Sequence, residues 1–157
     1  MKHLHKIASI ILLFSLITVL PSCDKTLGCT DPTAENYDPE AELEDASCVT
    51  QRKKFTGLFA AGDGCNIAPA AQNYFVEVRN SNVSLQDILI FNLGDFFLNP
   101  VVAIVNKTTF TIERQDPDAD GHYITGEGSI AGNTITIQYR VRYGSTPEKI
   151  CITNMVK

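Results

Sequence analysis

The sequence predicts an all-β protein in which about eight antiparallel strands form a meander, closed into a small barrel or flattened into a sandwich. From Phe55 onward, apolar and polar residues alternate with a period of two, and turn residues recur at short intervals. Four cysteines follow an export signal, and an even number in an exported chain is typical of a disulfide framework. Together with the charge pattern, these features divide the chain into a signal peptide (1–22), an anchor and linker segment (23–27), an acidic cysteine-bracketed module (28–49) and an antiparallel β domain (50–157).

The N-terminal segment has the layout of an export signal. A short cationic head precedes an uncharged, mainly apolar run from Ile7 to Leu20, which leads to Pro21, Ser22 and Cys23. This run is shorter than the ~20 residues that a transmembrane helix needs. The segment resembles a bacterial lipoprotein signal, which implies cleavage before Cys23 and a diacylglyceryl thioether on its sulfur. We expect a membrane-anchored lipoprotein of the cell envelope, with the outer membrane as the preferred location; an ordinary secretory signal is the alternative.

Acidic residues are concentrated beside this anchor. Between Cys23 and Cys48 there are eight acidic residues and one lysine, whereas ten basic residues balance ten acidic ones from Val49 to Lys157. Such a chain offers no basic surface for phosphates, which excludes nucleic acid as a partner. Because an anionic bilayer would repel the acidic segment, attachment to the membrane must come from the lipid on Cys23.

The acidic module is too short and too polar to bury a core of its own. Four cysteines allow three pairings, and the different charge of the two regions favours Cys29 with Cys48 and Cys65 with Cys151. The first bridge closes a loop of about 20 residues and contributes about 3 kcal/mol, and without it the module should be disordered. The second ties the two ends of the sheet together and contributes about 4 to 5 kcal/mol.

The module also carries a sequence motif. It reads Gly-Cys-Thr-Asp-Pro-Thr-Ala from Gly28, then Asn-Tyr-Asp-Pro, then an acidic pair that leads to Ser-Cys48. This pattern resembles a short cysteine-bracketed module of secreted Bacteroidota proteins, in which glycine usually stands at the position of Ala46. The resemblance implies a surface spacer without a known activity. Its carboxylates could bind calcium, but a solvated acidic spacer is the favoured interpretation.

Period-two patterns place eight strands in the β domain. The clearest is residues 134–143, where Ile135, Ile137 and Tyr139 belong to one face, and it forms a hairpin with residues 123–130. Gly126 and Gly128 should mark a bulge or a close approach of backbones. The remaining strands are predicted at residues 54–60, 74–80, 87–93, 101–105, 108–114 and 149–156. Residues 85–98 could instead contain one helical turn.

The β domain as a whole resembles the small lipocalin-like domains carried by many Bacteroidota lipoproteins. The residues behind this resemblance are Phe55-Thr-Gly, Cys65, Ile90-Phe-Asn-Leu-Gly94, Ile124-Thr-Gly-Glu-Gly-Ser-Ile, Gly132-Asn-Thr-Ile-Thr-Ile137 and Cys151. It implies a closed barrel and brings no catalytic residues with it.

One loop has the spacing of a calcium site. Residues 116–127 fit D-x-D-x-D-G-x5-E, in which alternate carboxylates converge on the ion and glycine permits a sharp turn. In that template the carboxylate ligands are Asp116, Asp118, Asp120 and Glu127, and His122 contributes its backbone carbonyl. The flanking segments are predicted strands, so the loop is not an EF-hand. The alternative is a hairpin tip whose acidic side chains face water.

No pattern for catalysis accompanies these features. His122 is the only histidine beyond the signal peptide, and a lone histidine at a loop edge is more often solvated than a base. Gly62-Asp63-Gly64 is interpreted as a turn and not as a phosphate loop. We therefore expect a non-enzymatic binding or structural module whose partner is a protein, a glycan or a small molecule. The alternatives are a lipocalin-like carrier of a small apolar ligand, which needs a cavity of several hundred cubic ångströms, and an enzyme with an unrecognised site.

Overall fold

The computed structural model describes residues 25–157. The signal peptide and the predicted lipidation site Cys23 lie outside the described residues. Within this range, no helix has both the length and the apolar character needed to cross a membrane.

The β domain is a closed barrel of eight antiparallel strands, which decides between the predicted barrel and sandwich. Consecutive strands are neighbours throughout, and β10 pairs with β3 to close the sheet. The module contributes β1 (Leu27–Gly28) and β2 (Leu43–Glu44), and the barrel strands are β3 (Gly57–Cys65), β4 (Gln72–Asn80), β5 (Asp87–Phe91), β6 (Val101–Asn106), β7 (Thr109–Gln115), β8 (His122–Ala131), β9 (Thr134–Tyr143) and β10 (Lys149–Val156).

The side chains of β9 alternate between the barrel interior and solvent, as predicted. Ile135, Ile137 and Tyr139 point into the barrel and are buried, whereas the residues between them are exposed. The predicted close approach of backbones on β8 is confirmed at Gly126, where an added Cβ atom would lie 2.5 Å from the Gln138 carbonyl oxygen of β9. At Gly128 the close neighbour is a side chain, because only glycine leaves room for the ring of Phe110 on β7.

Two segments differ from the prediction. Residues 54 and 55 belong to a 3₁₀ helix (Gln51–Phe55), and the first barrel strand begins at Gly57 and continues to Cys65. The helix is stabilised by tertiary contacts that local alternation does not reveal. The predicted strand 87–93 ends at Phe91, and a short 3₁₀ turn follows at Leu93–Asp95, as the helical alternative for this region anticipated.

The first 3₁₀ helix closes one end of the barrel. Phe55 is fully buried and packs edge to face against Phe110, with ring centroids 5.5 Å apart. Arg52 is also buried, and its Nη1 donates to the carbonyl oxygens of Ser81, Ser84 and Asp87 at 2.7–3.0 Å. These bonds fix the loop between β4 and β5 across the barrel end. We call this the closed end.

Both predicted disulfides are present. Cys29 is bonded to Cys48, and Cys65 is bonded to Cys151. Cys65 and Cys151 face each other in the register of β3 and β10, so this bridge links the first and last barrel strands where the sheet closes.

The acidic module is built from short turns around its own disulfide. The carboxylates of Asp31, Asp38 and Asp45 each accept the backbone N–H two residues later, at 2.8–2.9 Å. Hydrogen bonds from Thr33 and Ser47, respectively, lower the pKa of Asp31 and of Asp45. These acids therefore organise turns, which accords with the spacer interpretation. The module contacts the closed end of the barrel, where Glu35 forms an ion pair with Lys54.

Candidate binding site at the open end of the barrel

The end opposite the 3₁₀ helix carries a pocket. Four loops meet there, comprising residues 66–71, 92–100, 116–121 and 144–148. Residues of the loops 92–100 and 144–148 and of the adjoining strand ends line a pocket of about 330 Å³ that is open to solvent. Its walls are mainly aromatic and apolar and include Leu93, Phe96, Phe97, His122, Tyr139, Val141, Tyr143 and Pro147.

Four rings form a contiguous wall in this pocket. His122, at the start of β8, stacks on Tyr143 at the end of β9, with centroids 4.3 Å apart and planes at 27°. These two residues are direct partners in the β8–β9 register, which explains their contact. Phe96 packs edge to face against both His122 and Phe97, at 4.8 and 5.0 Å. Such a wall suits a flat apolar group, since rings prefer offset-stacked or edge-to-face contacts.

His122 has an acidic neighbour. The Asp120 carboxylate accepts the His122 backbone N–H at 3.0 Å, and its other oxygen lies 3.0 Å from Nδ1. That second contact has the distance of an ion pair without hydrogen-bond alignment, so Nδ1 is buried without a hydrogen-bond partner among the described residues. The backbone hydrogen bond is the main reason why the pKa of Asp120 is lowered.

A buried carboxylate lies beneath the pocket. Asp63 points into the barrel from β3 and is only 5% exposed. Its Oδ1 accepts the hydroxyls of Tyr74, at 2.6 Å, and Thr153, and its Oδ2 accepts that of Tyr139 at 2.9 Å. Tyr139 also lines the pocket. These three hydrogen bonds place an acceptor carboxylate inside the barrel.

The same cluster raises the pKa of both tyrosines. Burial is the main cause for each, and it is reinforced for Tyr74 by its hydrogen bond to Asp63 and for Tyr139 by the charge of Asp63. Both phenols therefore remain protonated hydrogen-bond donors through the whole neutral range.

This shift predicts a loss of stability in alkali. As pH rises above about 10, the two phenols ionise in the unfolded chain but not in the folded one. The free energy of unfolding should then decrease by up to ~1.4 kcal/mol per pH unit for each tyrosine. Urea denaturation between about pH 8 and 11 measures this slope. A Tyr74→Phe, Tyr139→Phe variant should show a shallower slope, and an unchanged slope would contradict the prediction.

The carboxylates of the predicted calcium loop accept hydrogen bonds from backbone N–H groups. Asp116 accepts the N–H groups of Asp120 and Gly121 at 3.2 and 2.8 Å. Asp118 reaches the neighbouring loop and accepts the backbone N–H groups of Leu98 and Asn99 at 3.0 and 2.7 Å.

Glu127 lies further along β8, where it pairs with Gln138 of β9. Within residues 25–157, the side-chain oxygens of the predicted calcium ligands do not converge on one point. Two other groups of possible metal ligands do converge, but each contains both cysteines of a disulfide. A calcium ion at Asp116, Asp118, Asp120, Glu127 and the His122 carbonyl would therefore have to displace existing hydrogen bonds.

Calcium binding by this loop stays a prediction. If it occurs, calcium at one hundred times its dissociation constant stabilises the fold by about 2.7 kcal/mol. The melting temperature should then rise by roughly 10 to 20 °C, with dissociation constants of ~10⁻⁴ to 10⁻³ M. Asp118→Ala should remove the shift, and Asp95→Ala in a neighbouring loop should retain it. Equal melting temperatures in calcium and in chelator would show that the loop is only a turn.

The centre of this site differs from the prediction. The sequence predicts a turn at Gly62-Asp63-Gly64, but these residues lie within β3, and Asp63 is an inward-facing strand residue. The available signal was its position two residues after Ala61 and four after Phe59, on the apolar face of the strand. The aromatic residues of the pocket come from separate loops and strands, so no local motif announces them.

Comparison with known proteins gives no assignment, since no protein-family model matches the chain and no curated protein matches it either.

Proposed function

We propose that this protein is a non-enzymatic, membrane-anchored lipoprotein whose barrel binds a small ligand with a flat apolar portion at its open end. The observation that carries the proposal is the wall formed by Phe96, Phe97, His122 and Tyr143. Ligand sites are typically concave, mainly apolar and furnished with a few placed polar groups, and the mouths of β-barrels are among their usual locations.

The packing of the interior supports binding at the mouth over binding deep inside. The barrel is filled by large side chains that are fully buried, among them Phe59, Phe110, Ile112, Ile137 and Met155. A carrier that encloses its ligand within the barrel would have to displace this core. The pocket at the open end lies above it, and its 330 Å³ suits a group about the size of one or two rings.

A titration with 2-phenylethanol tests the proposal. This neutral probe carries one aromatic ring, and its binding can be followed by the ¹⁵N chemical shifts of the labelled full chain up to millimolar probe. We expect saturable shifts at Gly94, Gly121 and His122, around the pocket. Tyr143→Ala should weaken the affinity by about fivefold, because it removes one stacking surface.

Tyr123 provides the matched control. It is 40% exposed, compared with 49% for Tyr143, but it lies on the outer face of β8, beneath the Arg114 guanidinium. Tyr123→Ala should leave the affinity for 2-phenylethanol unchanged. Equal effects of the two substitutions, or shifts spread evenly over the barrel, would contradict a site at the open end.

The anchor is a separate part of the proposal and has its own test. Cys23→Ser removes the sulfur that would accept the lipid, so the protein should leave the membrane fraction for a soluble or unprocessed form. Metabolic labelling with a fatty acid, followed by fractionation, measures both effects. Label incorporated into the Cys23→Ser protein would show that the lipid is attached at another residue.

A further inference from the structure

We propose that the open-end pocket selects organic ammonium ions, with the apolar body of the ligand against the aromatic wall and its positive charge directed toward Asp63. This inference rests on the proposed function, because it names the chemical class of ligand for the same pocket. Three features carry it: the faces of the rings, the charge buried beneath them and the charge of the surrounding loops.

The aromatic wall is the first feature. Ring faces are electrostatically negative and attract cations within about 6 Å of the ring centroid. Phe96, Phe97 and Tyr143 all line the pocket, so an ammonium group inside it would meet several rings at once. A neutral ligand gains only the packing of its apolar body against the rings, whereas a cation also gains the electrostatic attraction to the ring faces.

The buried carboxylate is the second feature. Asp63 takes part in none of the ion pairs formed within residues 25–157, and its three side-chain partners are neutral hydroxyls. Its charge is therefore not neutralised by a basic side chain. Because the surroundings are apolar, the field of such a charge extends further than it would in water.

Asp63 is also close to the pocket. Its Oδ2 binds the hydroxyl of Tyr139, and a Cβ atom on Gly94 would lie 3.6 Å from the same oxygen. Both Tyr139 and Gly94 are part of the pocket lining. The negative charge thus lies directly behind the floor of the site.

The loops around the pocket are the third feature. The four loops of the open end contain five acidic residues and neither lysine nor arginine: Asp95, Asp116, Asp118, Asp120 and Glu148. The lysines and arginines of the closed end, Arg52, Lys53, Lys54, Lys107 and Lys157, lie on the side of the barrel that the acidic module contacts. A rim of one sign concentrates ligands of the other sign at the mouth of the pocket.

Basic groups near the open end offset only part of this field. Lys149 is the one lysine or arginine of the pocket lining, and its Nζ keeps its charge while it donates to the Pro69 carbonyl oxygen at 2.6 Å. Arg140 lies 3.8 Å from Glu148 on the outer surface, and Arg114 lies over Tyr123. Neither arginine is part of the pocket lining.

Three probes that share a phenylethyl group and differ in charge test the inference in the full chain. They are 2-phenylethylammonium, neutral 2-phenylethanol and anionic 3-phenylpropanoate, each titrated by ¹⁵N chemical shift. The cation should bind about tenfold more tightly than the alcohol, and the anion should bind most weakly. Added salt should weaken the binding of the cation and leave that of the alcohol unchanged.

Asp63→Asn is the decisive variant, because it removes the charge and nearly preserves the shape. It should bring the affinity for the cation to within about threefold of that for the alcohol. Asp87→Asn makes the same change at the closed end and should alter neither affinity. If Asp63→Asn does not fold, the double variant Asp95→Asn, Glu148→Gln removes two exposed rim charges. This double variant should weaken only the affinity for the cation, by about two- to threefold.

The outcomes separate the two proposals. If the cation and the alcohol bind with equal affinity to the native chain, or if neither charge-removing variant changes their ratio, the preference for ammonium ions is wrong and the pocket remains a site for apolar groups. If no probe perturbs the open end, both the pocket function and the inference are wrong.

Discussion

Replacing Cys65 and Cys151 together with alanine should lower the free energy of unfolding by about 4 to 5 kcal/mol. The bridge spans 86 residues, and a cross-link over so long a loop strongly restricts the unfolded chain. It also joins β3 to β10, the pair that closes the barrel, so its loss weakens the sheet at the seam. Urea denaturation of the oxidised native chain and of the variant measures the difference.

The module disulfide is the natural control. Replacing Cys29 and Cys48 with alanine should change the unfolding of the barrel by less than about 0.5 kcal/mol, because this bridge closes a loop within the module. Proteolysis should then occur within residues 28–48 while the barrel stays intact. Equal losses from the two double variants would mean that the module and the barrel unfold as one unit.

Removing the buried carboxylate should also have a large effect. Asp63→Ala deprives the hydroxyls of Tyr74, Tyr139 and Thr153 of their common acceptor in a site without ready access to water. Each buried donor left without a partner costs about 1 to 3 kcal/mol, and partial re-pairing reduces the sum. We expect the free energy of unfolding to fall by about 3 kcal/mol or more, measured by chemical denaturation.

Two substitutions calibrate that measurement. Thr153→Val removes one donor and keeps the side-chain shape, so its cost should be about 1 to 1.5 kcal/mol. Asp95→Ala removes an exposed carboxylate at the same end and should stay within about 0.5 kcal/mol of the native chain. A gain in stability from Asp63→Ala would show that burying the charge costs more than its hydrogen bonds return.

The barrel could be predicted from sequence because its determinants are local or pairwise. Alternation along residues 134–143 fixes which side chains face inward, and the turn at Gly132 and Asn133 fixes the hairpin with β8. The predicted pairing of Cys65 with Cys151 also placed the first barrel strand beside the last. The 3₁₀ helix escaped prediction because Arg52 is buried by carbonyl groups some 29 to 35 residues away.

The binding site was harder to predict for a related reason. Asp63 lies between two glycines, a local signal for a turn, and its burial depends on hydroxyls 11, 76 and 90 residues further along the chain. In the loop of Asp116, Asp118 and Asp120, by contrast, the local motif pointed clearly to a binding site. Its spacing matched a metal template, whereas its contacts show carboxylates occupied by backbone amides, one of them from another loop.

The contact between the acidic module and the closed end determines how the barrel faces its surroundings. A cleft of about 460 Å³ lies there between Asp31 to Thr33 of the module and Arg52, Gln86 and Ile104 of the barrel. If the chain is tethered at Cys23, as proposed, the open-end pocket lies on the side of the barrel away from the module, roughly 25 Å away for strands of eight residues. A ligand would then reach this pocket from the aqueous phase without crossing the lipid surface.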